Sequence, residues 1–199
     1  MLHLSQDPAS DQLISEDPLA LLIGMVLDQQ IPLEKAFAGP AELCRRLGGP
    51  LDAGVIAAMD PDALIAAFVD RPALHRFPAA NAKRVQALCQ ILVDDYGGDA
   101  ASVWNGARSG KELLRRVRAL PGFGEQKAKI FVALLGKQMA VRPRGWKQVA
   151  GEFAESGSRR SVADITDDAS LREVRAYKQQ IKLRPRPERQ PGSSSRERT

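Results

Sequence analysis

Leu120-Pro121-Gly122-Phe123-Gly124 is the stretch whose residue types and spacing most clearly imply a chemistry. Pro121 ends a preceding helix, because its ring cannot enter a helix interior. Gly122 and Gly124 admit positive φ and carry no Cβ to block a close approach. The amides that follow, near Glu125 and Gln126, then point outward at a helix N-terminus, where unpaired N–H groups and the helix dipole favour an anion. Lys127 and Lys129 add cations to the same end. On a basic protein the fitting anion is a nucleic-acid backbone phosphate.

The charge distribution supports that reading. The chain of 199 residues has a net charge of +5. Residues 1–110 hold 8 Lys+Arg against 14 Asp+Glu, a balance of −6, and residues 111–199 hold 21 against 10, a balance of +11. The basic half begins at the turn, as expected of a nucleic-acid binder, although arginines and lysines that only solvate helices and a tail would give the same balance. Carboxylates that could assist a reaction are scattered. Asp28 sits beside Gln30, Glu125 opens the helix after the turn, and Glu152, Glu155 and Asp164 come later. Each also reads as a cap, an arginine partner or a solvent-facing group.

The elements that must position these residues are helical. Aromatic residues are few (5%) while Ala and Leu are common, which favours an all-α fold. Asp17-Pro18 is a helix start, with a carboxylate at the N-cap and proline at the first helical position. Leu19 to Leu27 is apolar all round, so this helix is expected to be central and buried. Gly39-Pro40 is expected to break the chain before a short helix, Ala41 to Leu47, stopped by Gly48-Gly49. Further helices are expected over Asp52–Met59, from Asp60-Pro61 to Phe68, and over Ala79–Tyr96, the last with Val85, Leu88, Cys89 and Leu92 inward. Ser109 and Glu112 have capping-box spacing ahead of Leu113, Leu114, Val117 and Leu120. After the turn, Ala128, Phe131, Leu134 and Leu135 mark one apolar face, with Gly136 as the expected stop. Lys147–Phe153 has helical character, and Thr166 is the expected N-cap of a helix over Ala169–Ile181.

No apolar run is long enough to span a membrane, and the N-terminus lacks the pattern of a signal peptide. Cys44 and Cys89 have no metal spacing and read as reduced core thiols of a cytoplasmic protein. Residues 184–199 are Pro, Ser and Arg with almost no apolar residue, and are expected to be a disordered basic tail.

The turn and its flanking helices resemble the helix-hairpin-helix element of the HhH-GPD superfamily of base-excision DNA repair glycosylases, which includes endonuclease III. In that family the hairpin reads Leu-Pro-Gly-hydrophobe-Gly, followed by a helix containing an alanine, here Ala128. The resemblance covers roughly residues 17–150. It implies an all-α, two-lobed HhH-GPD fold over residues 1–183 with the hairpin at 111–136. It also implies a monomer bound to double-stranded DNA, cytoplasmic and nucleoid-associated. The two cysteines, both upstream, exclude the iron–sulfur cluster of some members, so no metal or cofactor is expected beyond a monovalent cation at the hairpin. In the family a glutamine after the central apolar helix enters the duplex, and Gln30 is the match. The loop before the long helix supplies an intercalating wedge, for which Leu74, His75 and Phe77 are the candidates, against the alternative of a buried Phe77 and a surface His75. Lys83 and Arg84 either touch phosphate or are solvated. Leu120, Gly122, Phe123, Gly124, Glu125, Gln126, Lys127 and Lys129 form the expected DNA-binding hairpin.

The family's catalytic positions are where this chain departs. The lysine that forms a Schiff base and permits strand cleavage falls on Gln126, and Lys127 points about 100° further round the helix. The aspartate that stabilises the departing sugar's positive charge falls on Arg142 or Arg144, both of the wrong sign. Those arginines read instead as phosphate contacts, and Asp28 and Glu125 as the substitute carboxylates. Two functions stay open: a monofunctional glycosylase that flips out and removes a damaged or mismatched base without lyase activity, and a non-catalytic binder or sensor of distorted duplexes on the same scaffold.

Overall fold

Carboxylates and prolines set the helix starts. The computed structural model describes residues 1–183, and the expected tail at 184–199 lies outside them. Helices α1 (Pro8–Glu16), α2 (Pro18–Leu27) and α5 (Pro61–Val69) each begin with proline after an aspartate whose side chain accepts from amides of the first turn. Asp52 caps α4 (Ala53–Ala58) in the same way. These are pairings that satisfy amides a helix leaves unpaired at its start. The remaining elements are α3 (Leu33–Leu47), α6 (Pro78–Tyr96), α7 (Ser102–Asn105), α8 (Gly110–Ala119), α9 (Glu125–Gln138), α10 (Trp146–Ala150), two short 3-10 turns at Gly151–Ala154 and Val162–Asp164, and α11 (Asp168–Leu183). Among the described residues there is no strand, only one isolated bridge between Ser109 and Arg144.

Every residue of α2 from Leu19 to Leu27 is buried, as its all-round apolar pattern requires. It packs with α1, α3 and α6, while α4 and α5 lie along α6. α8, α9, α10 and the 3-10 turns pack on one another. One continuous apolar core joins the two sets, from Leu4 through Phe37, Leu88 and Phe131 to Val174.

Three expectations are corrected. Gly39-Pro40 does not break the chain, since α3 runs through it with Pro40 inside. Gly39 faces α2, where a Cβ would stand 2.6 Å from a Leu27 methyl, and one on Gly24 would stand 2.8 Å from the Phe37 ring. The glycines therefore serve close α2–α3 packing. Gly136 does not stop α9, which continues to Gln138. A Cβ there would lie 2.4 Å from the Trp146 ring, so this glycine makes room for the indole on the helix. At α11 the cap is Asp167, whose carboxylate accepts from Ser170 N at 2.7 Å, and not Thr166.

Candidate nucleic-acid interface

The hairpin is α8, the turn 120–124 and α9. Ser109 Oγ caps α8 by accepting from Glu112 N at 3.2 Å, while the Glu112 carboxylate accepts from Arg108 N at 2.9 Å. At the turn, Leu120 and Phe123 are buried, and the Phe123 ring meets Phe131 edge-on at 5.5 Å. These two residues were expected at the DNA surface; they hold the turn from beneath instead. Gly122 is required twice over. Its φ is +88°, and a Cβ would stand 2.8 Å from Arg84 Cδ and 3.4 Å from a Val26 methyl. Gly124 differs, with φ −67° and ψ 171° and nothing within 4 Å of an added Cβ. Of the two glycines that admit positive φ, only Gly122 uses it, and the lack of a side chain at Gly124 is not needed by the fold.

Gly124 is also the N-cap of α9, and no side chain caps this end. The first helical bond runs from Ala128 N to Gly124 O at 2.9 Å, so the amides of Glu125, Gln126 and Lys127 precede the first intrahelical donor. The contrast with the aspartate-capped starts of α1, α2, α4 and α5 is one of sequence: a glycine stands where those helices carry a carboxylate. This is the geometry of an anion site.

The side chains of that first turn diverge. Glu125 is exposed and pairs with Lys129 Nζ at 2.9 Å, which holds its carboxyl below the usual range. Gln126 is exposed and shares a shallow outer pocket with Lys129 and Phe153. Lys127 turns inward. Its ammonium donates to Met25 O at 2.6 Å and Val26 O at 3.4 Å, closing the C-terminal end of α2. Burial pushes the pKa of Lys127 down, and Asp28 opposes that shift.

Beside this turn lies a cleft of ≈ 810 Å³ between the 28–34 segment, Arg76 and α11. Asp28 is half-buried at its wall, and burial holds its carboxyl above the usual range against the opposing pull of Lys178 and Lys127. Gln30 is exposed at the rim in a left-handed conformation, φ +60°, which an L residue holds only when its surroundings impose it. Leu171 and Val174 seat α11 on the core, and Arg175 pairs with Glu34. Arg175 and Lys178 went unnoticed in the sequence; they lie about 150 positions from Asp28, and no local pattern links them.

The loop before α6 reverses the expected arrangement. His75 is buried at 2% exposure, as is Leu74, whereas Phe77 is 48% exposed with the Arg76 guanidinium 4.9 Å over its ring. Of the three wedge candidates only Phe77 reaches solvent. His75 accepts from Phe77 N and donates to Gln29 O, and Asn81 bridges it to Arg84. These bonds explain why a histidine is buried here.

Arg142 and Arg144 are not brought to the hairpin's turn; they meet the ends of α9 and α8 away from it. Arg142 Nε donates to Gly136 O at 2.8 Å, and the carbonyl of Arg144 accepts from Gly110 N at 2.8 Å, at the start of α8. Eleven residues of helix separate Gly136 from Glu125, about 16 Å at the α-helical rise. The late carboxylates are engaged elsewhere. Glu152 and Glu155 pair with Arg160 at 2.8 and 3.3 Å. Asp164 is buried, accepting from Lys137 Nζ at 2.5 Å and from Arg160 N and Ser161 N. Of the two substitute carboxylates, Asp28 faces the cleft and Glu125 faces the outer pocket, so they do not form a pair.

No family model matches the chain, and no curated protein sequence matches it. Among solved structures it is similar to a trapped endonuclease III–DNA covalent intermediate in an estranged-adenine complex, with 17% identity, a TM-score of 0.42, and coverage of 72% of this chain and 78% of that one. It is also similar to a thermostable thymine-DNA glycosylase, with 12% identity, a TM-score of 0.41, and coverage of 85% of this chain and 76% of that one.

Proposed function

We propose that the chain is a duplex-DNA-binding base-excision-repair protein, acting as a monofunctional DNA N-glycosylase with Asp28 as its carboxylate. The observation that carries this reading is the adjacency of two features. The uncapped start of α9 rests through Gly122 on Val26, near the end of α2, and Asp28 follows α2 at the wall of a cleft. The first feature grips a backbone phosphate. The second offers a carboxylate whose burial makes it a stronger base than a solvated aspartate, suited to drawing a proton from water or stabilising positive charge on a sugar. On this reading, Gln30 at the rim and the exposed Phe77 would meet a displaced nucleotide. Lyase chemistry has no obvious agent, because Gln126 is not a nucleophile and Lys127 is bound to the carbonyls of α2.

One observation favours the non-catalytic alternative. Lys178 and Lys127 lie close enough to Asp28 to pull its pKa down against the larger effect of burial, and cations there oppose the positive charge that develops as a base departs.

Base release from duplexes carrying uracil, alkylated purines, oxidised guanine or mismatches decides between the two. Release by the wild type that is lost in Asp28→Asn, with duplex affinity kept, is the expected result, together with no borohydride-trapped adduct on abasic DNA. Tight binding with no release from any substrate would establish the non-catalytic function instead, and a trapped band mapping to Lys127 or Lys129 would overturn the absence of lyase chemistry.

A further inference from the structure

The buried polar groups around His75 form a chain whose proton positions are set from both ends. Arg84 Nη1 donates to Asn81 Oδ1 at 3.0 Å. An arginine can only donate, so the amide of Asn81 must present its nitrogen to His75 Nδ1, at 2.8 Å, and to Phe77 O, at 3.0 Å. The backbone N–H of Phe77 also points at His75 Nδ1, at 3.0 Å. Two donors converge on that nitrogen, which therefore carries no proton. The proton is on Nε2, which donates to Gln29 O at 2.7 Å. Arg84 completes the circuit: its Nη1 also lies 3.4 Å from Gln29 Oε1, and its Cδ lies where Gly122 would carry a Cβ.

We infer that His75 is a positioning residue: with Asn81 it locks the Gln29-Gln30 turn, the exposed Phe77 and Arg84 into one rigid surface beside the hairpin, and protonation of its ring unlocks that surface. The inference rests on the DNA-binding function proposed above. A proton on Nδ1 would turn it into a donor facing the Phe77 N–H and the Asn81 NH2. A flip of the Asn81 amide would offer its Oδ1, but only by turning its nitrogen towards the Arg84 guanidinium, and the Phe77 N–H would still face a donor. The bonds that hold Phe77 and Asn81 would break, and the anchor of the Gln29-Gln30 turn on the His75 ring would loosen with them. The ionisable surroundings oppose such protonation. Burial is the largest influence, and Arg84 of α6, Lys35 of α3 and Lys127 of α9 add positive charge, against the bond to Gln29 O, which favours the charged ring. The ring thus takes up its proton below the ordinary value of 6.5, and the surface is intact above that pH and lost as the pH falls further.

The sign of the pH dependence makes this testable. Protonation of a surface histidine or carboxylate adds positive charge and strengthens phosphate binding. Loosening of the relay weakens it. The full chain has two histidines, His3 and His75, so nitrogen NMR of His3→Gln reports His75 alone. The expected spectrum has Nδ1 bare and Nε2 protonated, titrating below 6.5. A proton on Nδ1, or titration at the ordinary value, overturns the relay. Affinity for a duplex is then followed from about pH 7.5 to 5.5 with the helix content monitored. His3→Gln is expected to lose affinity progressively as the pH falls below 6.5, towards about tenfold once the ring is fully charged, the scale of one well-placed hydrogen bond. In the double variant His3→Gln/His75→Asn, the Asn carbonyl keeps an acceptor for Phe77 N but has no proton to gain, and affinity is expected to stay level or rise. Parallel profiles, or a loss that tracks unfolding, overturn the positioning role. Absence of duplex binding at any pH removes the proposed function and this role with it, an outcome distinct from binding with a flat profile.

Discussion

At its N-terminal end α9 leaves the amides of Glu125, Gln126 and Lys127 without a side-chain cap. At its C-terminal end, Arg142 is bonded to Gly136 O and Lys137 to the buried Asp164, and the Trp146 ring lies against Gly136. The two ends carry similar residues. They differ in whether donors already have partners. A cation or amide engaged inside the fold stabilises it and has little left for a ligand, whereas an unpaired donor at a helix start is a standing site for one. The glycines make the same point: Gly136 has a ring against it and Gly124 has open space. The basic balance of the C-terminal half therefore overstates the charge left free for a ligand.

Three substitutions probe the contrast, the largest effect first. Asp164→Ala leaves the Lys137 ammonium buried without its partner and removes the acceptor of the Arg160 and Ser161 amides. It should cost about 3–5 kcal/mol and lower Tm by roughly 10 °C, with per-molecule duplex affinity unchanged at low temperature; calorimetry and a binding isotherm check both. Unaltered Tm would mean that the far end is not the stabilising one. Gly136→Ala drives a methyl into the indole and should cost about 1–3 kcal/mol, read from denaturant midpoints, again without effect on binding. Gly124→Ala should change stability by less than about 0.5 kcal/mol, the range for surface positions. It should still weaken duplex binding several-fold and reduce the salt slope by about 1, the mark of one lost phosphate. Gly122 is a poorer probe, because its positive φ and the Arg84 contact tie any substitution to folding. Full affinity in Gly124→Ala would remove the hairpin start as the anchor.

Much of the helical frame was readable in the chain. The Asp-Pro starts, the all-round apolar α2 and the Ser109 cap act within one helical turn, and local residues suffice to specify them. The turn at 120–124 was readable for the same reason: proline and a positive-φ glycine are local requirements. Glycine was also where reading failed. Gly39 and Gly136 looked like breaks, but each serves an approach by Leu27 or Trp146 from another element, which sequence spacing does not encode. His75 and Phe77 exchanged their expected places, because the Gln29 carbonyl and Asn81 that satisfy a buried imidazole come from separate elements.

The amino-acid sequence by itself determined an all-helical chain, a glycine turn leading into a helix without a side-chain cap, and the want of a lysine or aspartate at the positions the resemblance pointed to. Only the tertiary structure decided which charges are free. It set Lys127 on the carbonyls of α2, Asp164 in a buried pair and Arg142 on Gly136, about 16 Å along α9 from the start of that helix, and it left Asp28 facing a cleft under α11. The physical reason is that a residue's type fixes what it can bond to, while its partner, and hence what remains for a ligand, is set by groups far away in the chain.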